Sequence, residues 1–201
     1  MKTINLNPKS LIFCLLTFLF TSISHAQTTT TDKANQIDAF MQAFVDNEKF
    51  NGTVLVAEKG KVIYKKAFGK ANVSWDINNQ TDTKFRLASV SKQFTAMLTL
   101  QLVAEGKLEL HQPISTYLPT YPKAQGDKIT LHHLLTHTSG IPNYTDFPEY
   151  RTLMKSYLSP TDLIQLFADS TLTFNPGEKF SYSNSGYALL GHIVEETTGM
   201  T

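Results

Sequence analysis

The sequence is almost without cysteine: Cys14 is the only one in 201 residues. It lies in an N-terminal stretch where Lys2 and Lys9 precede an apolar run from Leu11 to Phe20, and Ser24-His25-Ala26 closes the run with a small-residue cleavage pattern. Residues 1–26 therefore read as a secretory signal peptide, and the chain is expected to be exported, periplasmic or secreted after cleavage. The apolar run is about half the ~20 residues that a spanning helix needs, so no stable membrane anchor is expected. Bulky Phe13 before Cys14, and the continuation of the run beyond it, exclude lipidation at that cysteine. The exported chain then has no cysteine, which rules out a disulfide framework and a thiol nucleophile.

Charge of one sign is also missing. The whole chain has 18 Lys and Arg against 17 Asp and Glu, and loss of Lys2 and Lys9 leaves 16 against 17, a net charge of −1. This balance gives no electrostatic reason to expect nucleic acid. No glycine stands two residues before a serine, so the nucleophile elbow of an α/β-hydrolase is absent. His132, His133 and His137 suggest zinc, but the zincin pattern needs a glutamate directly after its first histidine, and Leu134 follows His133. No metal site is expected. These histidines read as helix-surface or loop-packing residues, with His137 holding the Thr-His-Thr-Ser-Gly turn.

What is present reads as a mixed α/β layout. Residues 27–36, with the polar run Thr28 to Thr31, read as a linker. Ile37, Phe40, Met41, Phe44 and Val45 recur at helical spacing in a first amphipathic helix starting near Asp32. The stretch GTVLVAEKGKVIYKKAFG predicts a β-hairpin turning at Lys59-Gly60-Lys61. Four or five helices follow. A largely apolar one, expected to be buried, runs from Ser89 to Glu105 with Gly106 as its cap. Another is capped by Thr130 and closed by Gly140, and a third starts at Ser159-Pro160. A last one ends at Gly199. A lone hairpin is marginally stable, so its sheet wants further strands, and none is evident downstream.

The chemistry concentrates in two places. In RLASVSKQF, Ser89 and Lys92 are three apart and share a helix face, so the lysine amine can reach the serine oxygen. A hydroxyl is a poor nucleophile until a neighbouring base takes its proton. Burial and the positive end of the helix dipole both favour the neutral amine that could do so. The same helix end leaves backbone N–H groups, including that of Ser89, as donors to an oxyanion. In isolation this pair also reads as a helix cap beside a solvated lysine. The second place is FSYSNSGYALLG, where Tyr182 is the only tyrosine with an asparagine two residues on, Asn184. A phenol beside an ammonium has its pKa lowered, so Tyr182 and Lys92 could share one proton while activating Ser89. Asn184 offers a donor and an acceptor for orienting an amide or Lys92 itself. The plainer reading is a polar turn with Asn184 or Ser185 capping the next helix.

At these residues the sequence resembles the serine β-lactamase and penicillin-binding protein superfamily, in the branch of class C β-lactamases, D-alanyl-D-alanine carboxypeptidases and related esterases. FRLASVSKQFTAM looks like that branch's first motif, and Tyr182-Ser183-Asn184 like its second; LLTHTSGIP and PGEKFSYSNSGYALLGHIVEETTGM are also typical. The resemblance runs from Ile37 to the last residue. It implies an antiparallel sheet flanked by helices plus an all-helical region, with residues 37–201 as the N-terminal part of such a domain. It also implies an acyl-enzyme on Ser89, with Lys92 and Tyr182 as catalytic partners and Asn184 binding substrate. The substrate would be a β-lactam, a D-alanyl cell-wall peptide or a small ester, and no cofactor is implied. A class A arrangement fits worse, because Tyr182-Ser183-Asn184 stands where Ser-Asp-Asn would.

One departure stands out. The family's third motif is Lys-Thr-Gly or His-x-Gly, and none of the ten glycines has a lysine or histidine two residues before it. The expectation is that the C-terminal strands lie outside this chain. The alternative to an enzyme is a penicillin-binding sensor without turnover, or an inactive scaffold.

Overall fold

Two facing φ values explain the hairpin. In the computed structural model, which describes residues 29–200, Lys59 and Gly60 have φ of 51° and 78°. Positive φ at both central residues makes a type I′ turn, whose twist matches that of the strands it joins, and glycine takes this conformation without steric cost. The turn links β1 (Gly52–Glu58) to β2 (Lys61–Phe68). The antiparallel register runs from Glu58 opposite Lys61 to Gly52 opposite Phe68, with a bulge between Val56 and Ala57. Residues 1–26, read from the sequence as a signal peptide, lie outside the described residues.

The described chain divides into two compact units, meeting in sequence between Phe85 and Arg86. In the first, helix α1 spans Thr30–Asp46 and packs against β2. It begins inside the segment read as a linker. The reason is a capping box: the Thr29 hydroxyl accepts the Asp32 N–H (3.1 Å), and the Asp32 carboxylate accepts the Thr29 N–H (3.2 Å). Two otherwise orphaned donors are thereby satisfied. Tyr64 and Phe68 of β2 are buried, whereas α1 buries no residue and leaves Phe40 63% exposed. A second, separate ribbon, β3 (Lys70–Asn72) with β4 (Ile77–Asn78), forms downstream of the hairpin, where no further strand is evident from the sequence.

The second unit is helical. A 3₁₀ turn, Ala88–Ser91, runs directly into α2 (Lys92–Ala104). The N–H groups of Gly106 and Lys107 donate back to Val103 and Leu102 (3.0 and 2.9 Å), so Gly106 closes the helix in a Schellman arrangement, as expected. The expected burial of α2 is not found: only Thr99 and Leu102 are buried, while Phe94, Met97, Leu98 and Leu100 are about half exposed. Only the stripe against the last helix is covered.

Four short helices follow: α3 (Lys123–Gly126), α4 (Leu131–Leu135), α5 (Tyr150–Leu153) and α6 (Pro160–Gln165). Thr130 caps α4 and Ser159 caps α6, both as expected. However, α4 ends at Leu135 with Thr136 as its C-cap, not at Gly140. Gly140 serves a later turn: its φ is 77°, and a Cβ there would run into the carbonyl oxygen of Phe174.

The last helix, α7 (Asn184–Thr198), is the axis of this unit and packs against α2, α4 and α6. Its Leu189, Leu190 and Ile193 are fully buried beside Leu131, Leu134, Ile164 and Phe167. Gly199 ends it with φ of 68°. The observed architecture is thus an antiparallel hairpin with a packed helix, together with an all-helical region. Among the described residues no helix is long and apolar enough to cross a membrane.

Candidate active site

The two sequence motifs meet at the N-terminal ends of α2 and α7, the helices that pack together in the second unit. Ser89 lies in the 3₁₀ turn before α2, and Lys92 is the first residue of α2. Tyr182 lies in the loop leading to α7, and Asn184 is that helix's first residue. The cap of α7 is Ser183, whose hydroxyl accepts the Gly186 N–H (3.3 Å), rather than Asn184 or Ser185. This leaves the Asn184 side chain free for other work.

All four side chains come together. The Ser89 and Tyr182 hydroxyls are hydrogen-bonded at 2.7 Å. The Lys92 ammonium donates to Asn184 Oδ1 (2.6 Å) and lies 4.9 Å from the centroid of the Tyr182 ring. A cation over a ring face is attracted by the ring's quadrupole. The Tyr182 phenol is held below its ordinary range, by Lys92 first and the Ser89 hydroxyl second, against the opposing effect of desolvation. An opposite charge nearby favours the ionised phenolate. Ser89 and Tyr182 are both exposed, so the cluster opens to solvent. Ala88, just before the serine, has a left-handed backbone with φ of 45°.

A third segment, residues 137–145, supports the second motif. Asn143 Oδ1 accepts the Asn184 N–H (3.0 Å) and its side-chain amide (3.2 Å), and Thr145 Oγ1 accepts from the same amide (3.3 Å). With its NH₂ held there, Asn184 turns its carbonyl oxygen to Lys92. Sequence reasoning missed Asn143 and Thr145, since Asn-Tyr-Thr after a proline reads only as turn chemistry.

Two of the three histidines, His133 and His137, are used as hydrogen-bond acceptors. His133 Nδ1 takes the Thr130 N–H (3.2 Å), completing the cap of α4, and burial holds its pKa down. His137 lies beyond the end of α4 with φ of 57°, so the two imidazoles do not share a helix face. Among the described residues, no three His, Cys, Asp or Glu side chains are grouped to hold a metal ion.

Residues 37–201 match the family described as Beta-lactamase. Penicillin-binding protein 4* of Bacillus subtilis is 34% identical over 85% of this chain, which spans 38% of that protein's length. A crystal structure of a penicillin-binding protein from Bacillus halodurans is 34% identical, with a TM-score of 0.68 over 80% of this chain and 51% of its own. EstCE1, described as a hydrolase with promiscuous acyltransferase activity, is 29% identical, with a TM-score of 0.71 over 85% of this chain and 48% of its own. With four-fifths of its length matched by the family and both motifs drawn to one place, this chain belongs to the Beta-lactamase family.

Proposed function

We propose that this chain carries the nucleophile of a serine hydrolase that forms an acyl-enzyme with a β-lactam, a D-alanyl cell-wall peptide or a small ester. The observation that carries the reading is the 2.7 Å hydrogen bond between Ser89 Oγ and a Tyr182 phenol whose ionised form is favoured by Lys92. Tyr182 takes the Ser89 proton as Oγ attacks the substrate carbonyl, and the Lys92 charge stabilises the phenolate. The Ser89 N–H is the candidate donor to the oxyanion that forms. Collapse of the tetrahedral intermediate breaks the acyl C–N or C–O bond, and Tyr182 returns the proton to the departing nitrogen or oxygen. Water then resolves the ester on Ser89 by the same route in reverse. Asn184, aimed at Lys92 and held by Asn143, fixes the lysine and borders the substrate amide.

The names of the relatives, a penicillin-binding protein and a hydrolase with acyltransferase activity, support this range of acyl donors. Export to the periplasm or the medium completes the reading, since cell-wall peptides lie there. The test is acylation by a labelled penicillin and release of nitrophenol from a nitrophenyl ester, with Ser89→Ala as control. Ser89→Ala is expected to abolish both. Labelling that survives this substitution would show that the nucleophile lies elsewhere. A label that forms on Ser89 and is never released would indicate a sensor, and no label at all a scaffold.

A further inference from the structure

Tyr182 is the only member of the cluster on a loop, and a loop residue that must receive a proton at 2.7 Å needs something to fix it. One residue brackets it. The backbone carbonyl of His137 accepts the Ser181 N–H (2.8 Å), and Nδ1 of the same histidine accepts the Ser183 N–H (3.2 Å). The residues on either side of Tyr182 are thus anchored through their N–H groups to a single residue. Between these anchors the imidazole lies against the Tyr182 ring, with centroids 4.6 Å apart and planes inclined by 33°. On its other contacts the imidazole meets Tyr187 of α7 (5.0 Å) and the edge of Phe180 (5.8 Å).

The left-handed backbone of His137 goes with this double attachment. Non-glycine residues take that conformation uncommonly, histidine and asparagine more readily than most, and strained backbone that persists is often held by its surroundings at functional sites. Here it puts the carbonyl and the ring of one residue on the same loop.

We propose that His137 is a positioning residue for Tyr182, acting as the neutral tautomer with its proton on Nε2 and its Nδ1 free to accept. This rests on the reading of Tyr182 as the base that activates Ser89. The hydrogen bonds of His137 go to the loop rather than to the Ser89 hydroxyl, so it acts through Tyr182. Protonation at Nδ1 removes the acceptor for Ser183 and releases one anchor. Burial first, and the Lys92 charge second, hold the imidazole below its ordinary pKa, against an opposing contribution from the Ser183 backbone, and so favour the neutral ring. The titratable groups facing the ring are Lys92 from α2, Tyr182 from the loop and Tyr187 from α7.

Two variants separate the acceptor from the ring. In His137→Asn the side-chain oxygen occupies the same place relative to Cβ as Nδ1, tolerates left-handed backbone and does not titrate. His137→Ala removes acceptor and ring together. In the whole protein, His137→Ala is expected to slow acylation about 100-fold, the scale on which a displaced catalytic group loses rate. KM should change little. His137→Asn should recover at least tenfold of this and lose the histidine's contribution to the acid limb of the pH profile.

A readout independent of catalysis is the ultraviolet titration of Tyr182, isolated by difference against Tyr182→Phe, with native-like circular dichroism required of each variant. The Tyr182 titration should move upward in His137→Ala and stay near the wild-type value in His137→Asn. Nitrogen NMR should find Nδ1 unprotonated at neutral pH. If folded His137→Ala keeps the wild-type Tyr182 titration and acylation rate, or Nδ1 carries the proton, the proposal is wrong. If the wild type is not acylated by any probe while the Tyr182 titration still moves as stated, the positioning role stands and the hydrolase reading falls.

Discussion

The two units of this chain are held by different means. The helical unit from Arg86 onward closes fifteen buried apolar residues around α7, including Phe167, Leu189, Leu190 and Ile193 with no exposed surface. The hairpin unit relies on Tyr64 and Phe68, and on one carboxylate: Asp38 accepts from the Tyr64 hydroxyl (2.7 Å) and from the Lys66 ammonium (2.6 Å). Burial first and the Asp38 hydrogen bond second push the Tyr64 phenol up to about 12. Burial of apolar surface is the dominant favourable term in folding, whereas half-exposed ion pairs contribute little. The candidate catalytic cluster is built on the unit with the dense core, whose packed helices α2 and α7 carry Lys92 and Asn184.

Core truncation should separate the two units most strongly. Phe167→Ala is expected to destabilise the helical unit by about 3–5 kcal/mol, because its neighbours on α4 and α7 cannot close the cavity. Phe68→Ala should cost less, at or below the low end of that range, since the residues around it are partly exposed and can collapse inward. Denaturant unfolding of both variants measures the difference, and equal losses would break the comparison.

Helix caps give the next effect. Ser183 is 3% exposed and caps the helix that α2, α4 and α6 pack against, so Ser183→Ala should cost about 1 kcal/mol or more. Thr29→Ala removes an exposed cap at a helix end that can fray, and its effect should be smaller. Amide exchange at the first turns of α7 and α1 reads both.

Mild acid should produce the smallest difference. The pKa values of His133 and His137 lie below the ordinary histidine value, from burial first, so each adds stability that is complete above that value, about 6.5. This stability is lost as the pH falls from there through the lowered folded-state pKa. In the hairpin unit Asp38 is held low by Lys66 first and Tyr64 second, and its contribution is lost only further down, in the carboxylate range. Amides of α4 should therefore lose protection at a higher pH than those of β1 and β2; the reverse order, followed by NMR, would contradict the assignment.

Much of this was legible locally. The hairpin followed from two β-rich runs around Lys59-Gly60, the α6 start from Ser159-Pro160, and the last helix's end from Gly199. Local signals misled where long-range packing or a cap decided. α1 starts at Thr30 because Asp32 closes a capping box, although the threonine run resembles a linker. α2 is apolar on all sides and reads as buried, yet only its stripe against α7 is covered. The helix carrying His133 stops at Leu135, before His137, although the sequence placed its end at Gly140.

The sequence by itself singled out the residues proposed to carry the chemistry, because Ser89 with Lys92 and Tyr182 with Asn184 are short-range patterns fixed by covalent spacing. Tertiary structure decided that these pairs share one site: 93 positions separate Ser89 from Tyr182, and only the packing of α2 against α7 brings their hydroxyls together. It also decided the contacts of His137 and Asn143. Their hydrogen bonds reach 46 and 41 positions along the chain to Ser183 and Asn184, and contacts at that range follow from packing, which no local pattern of residues encodes.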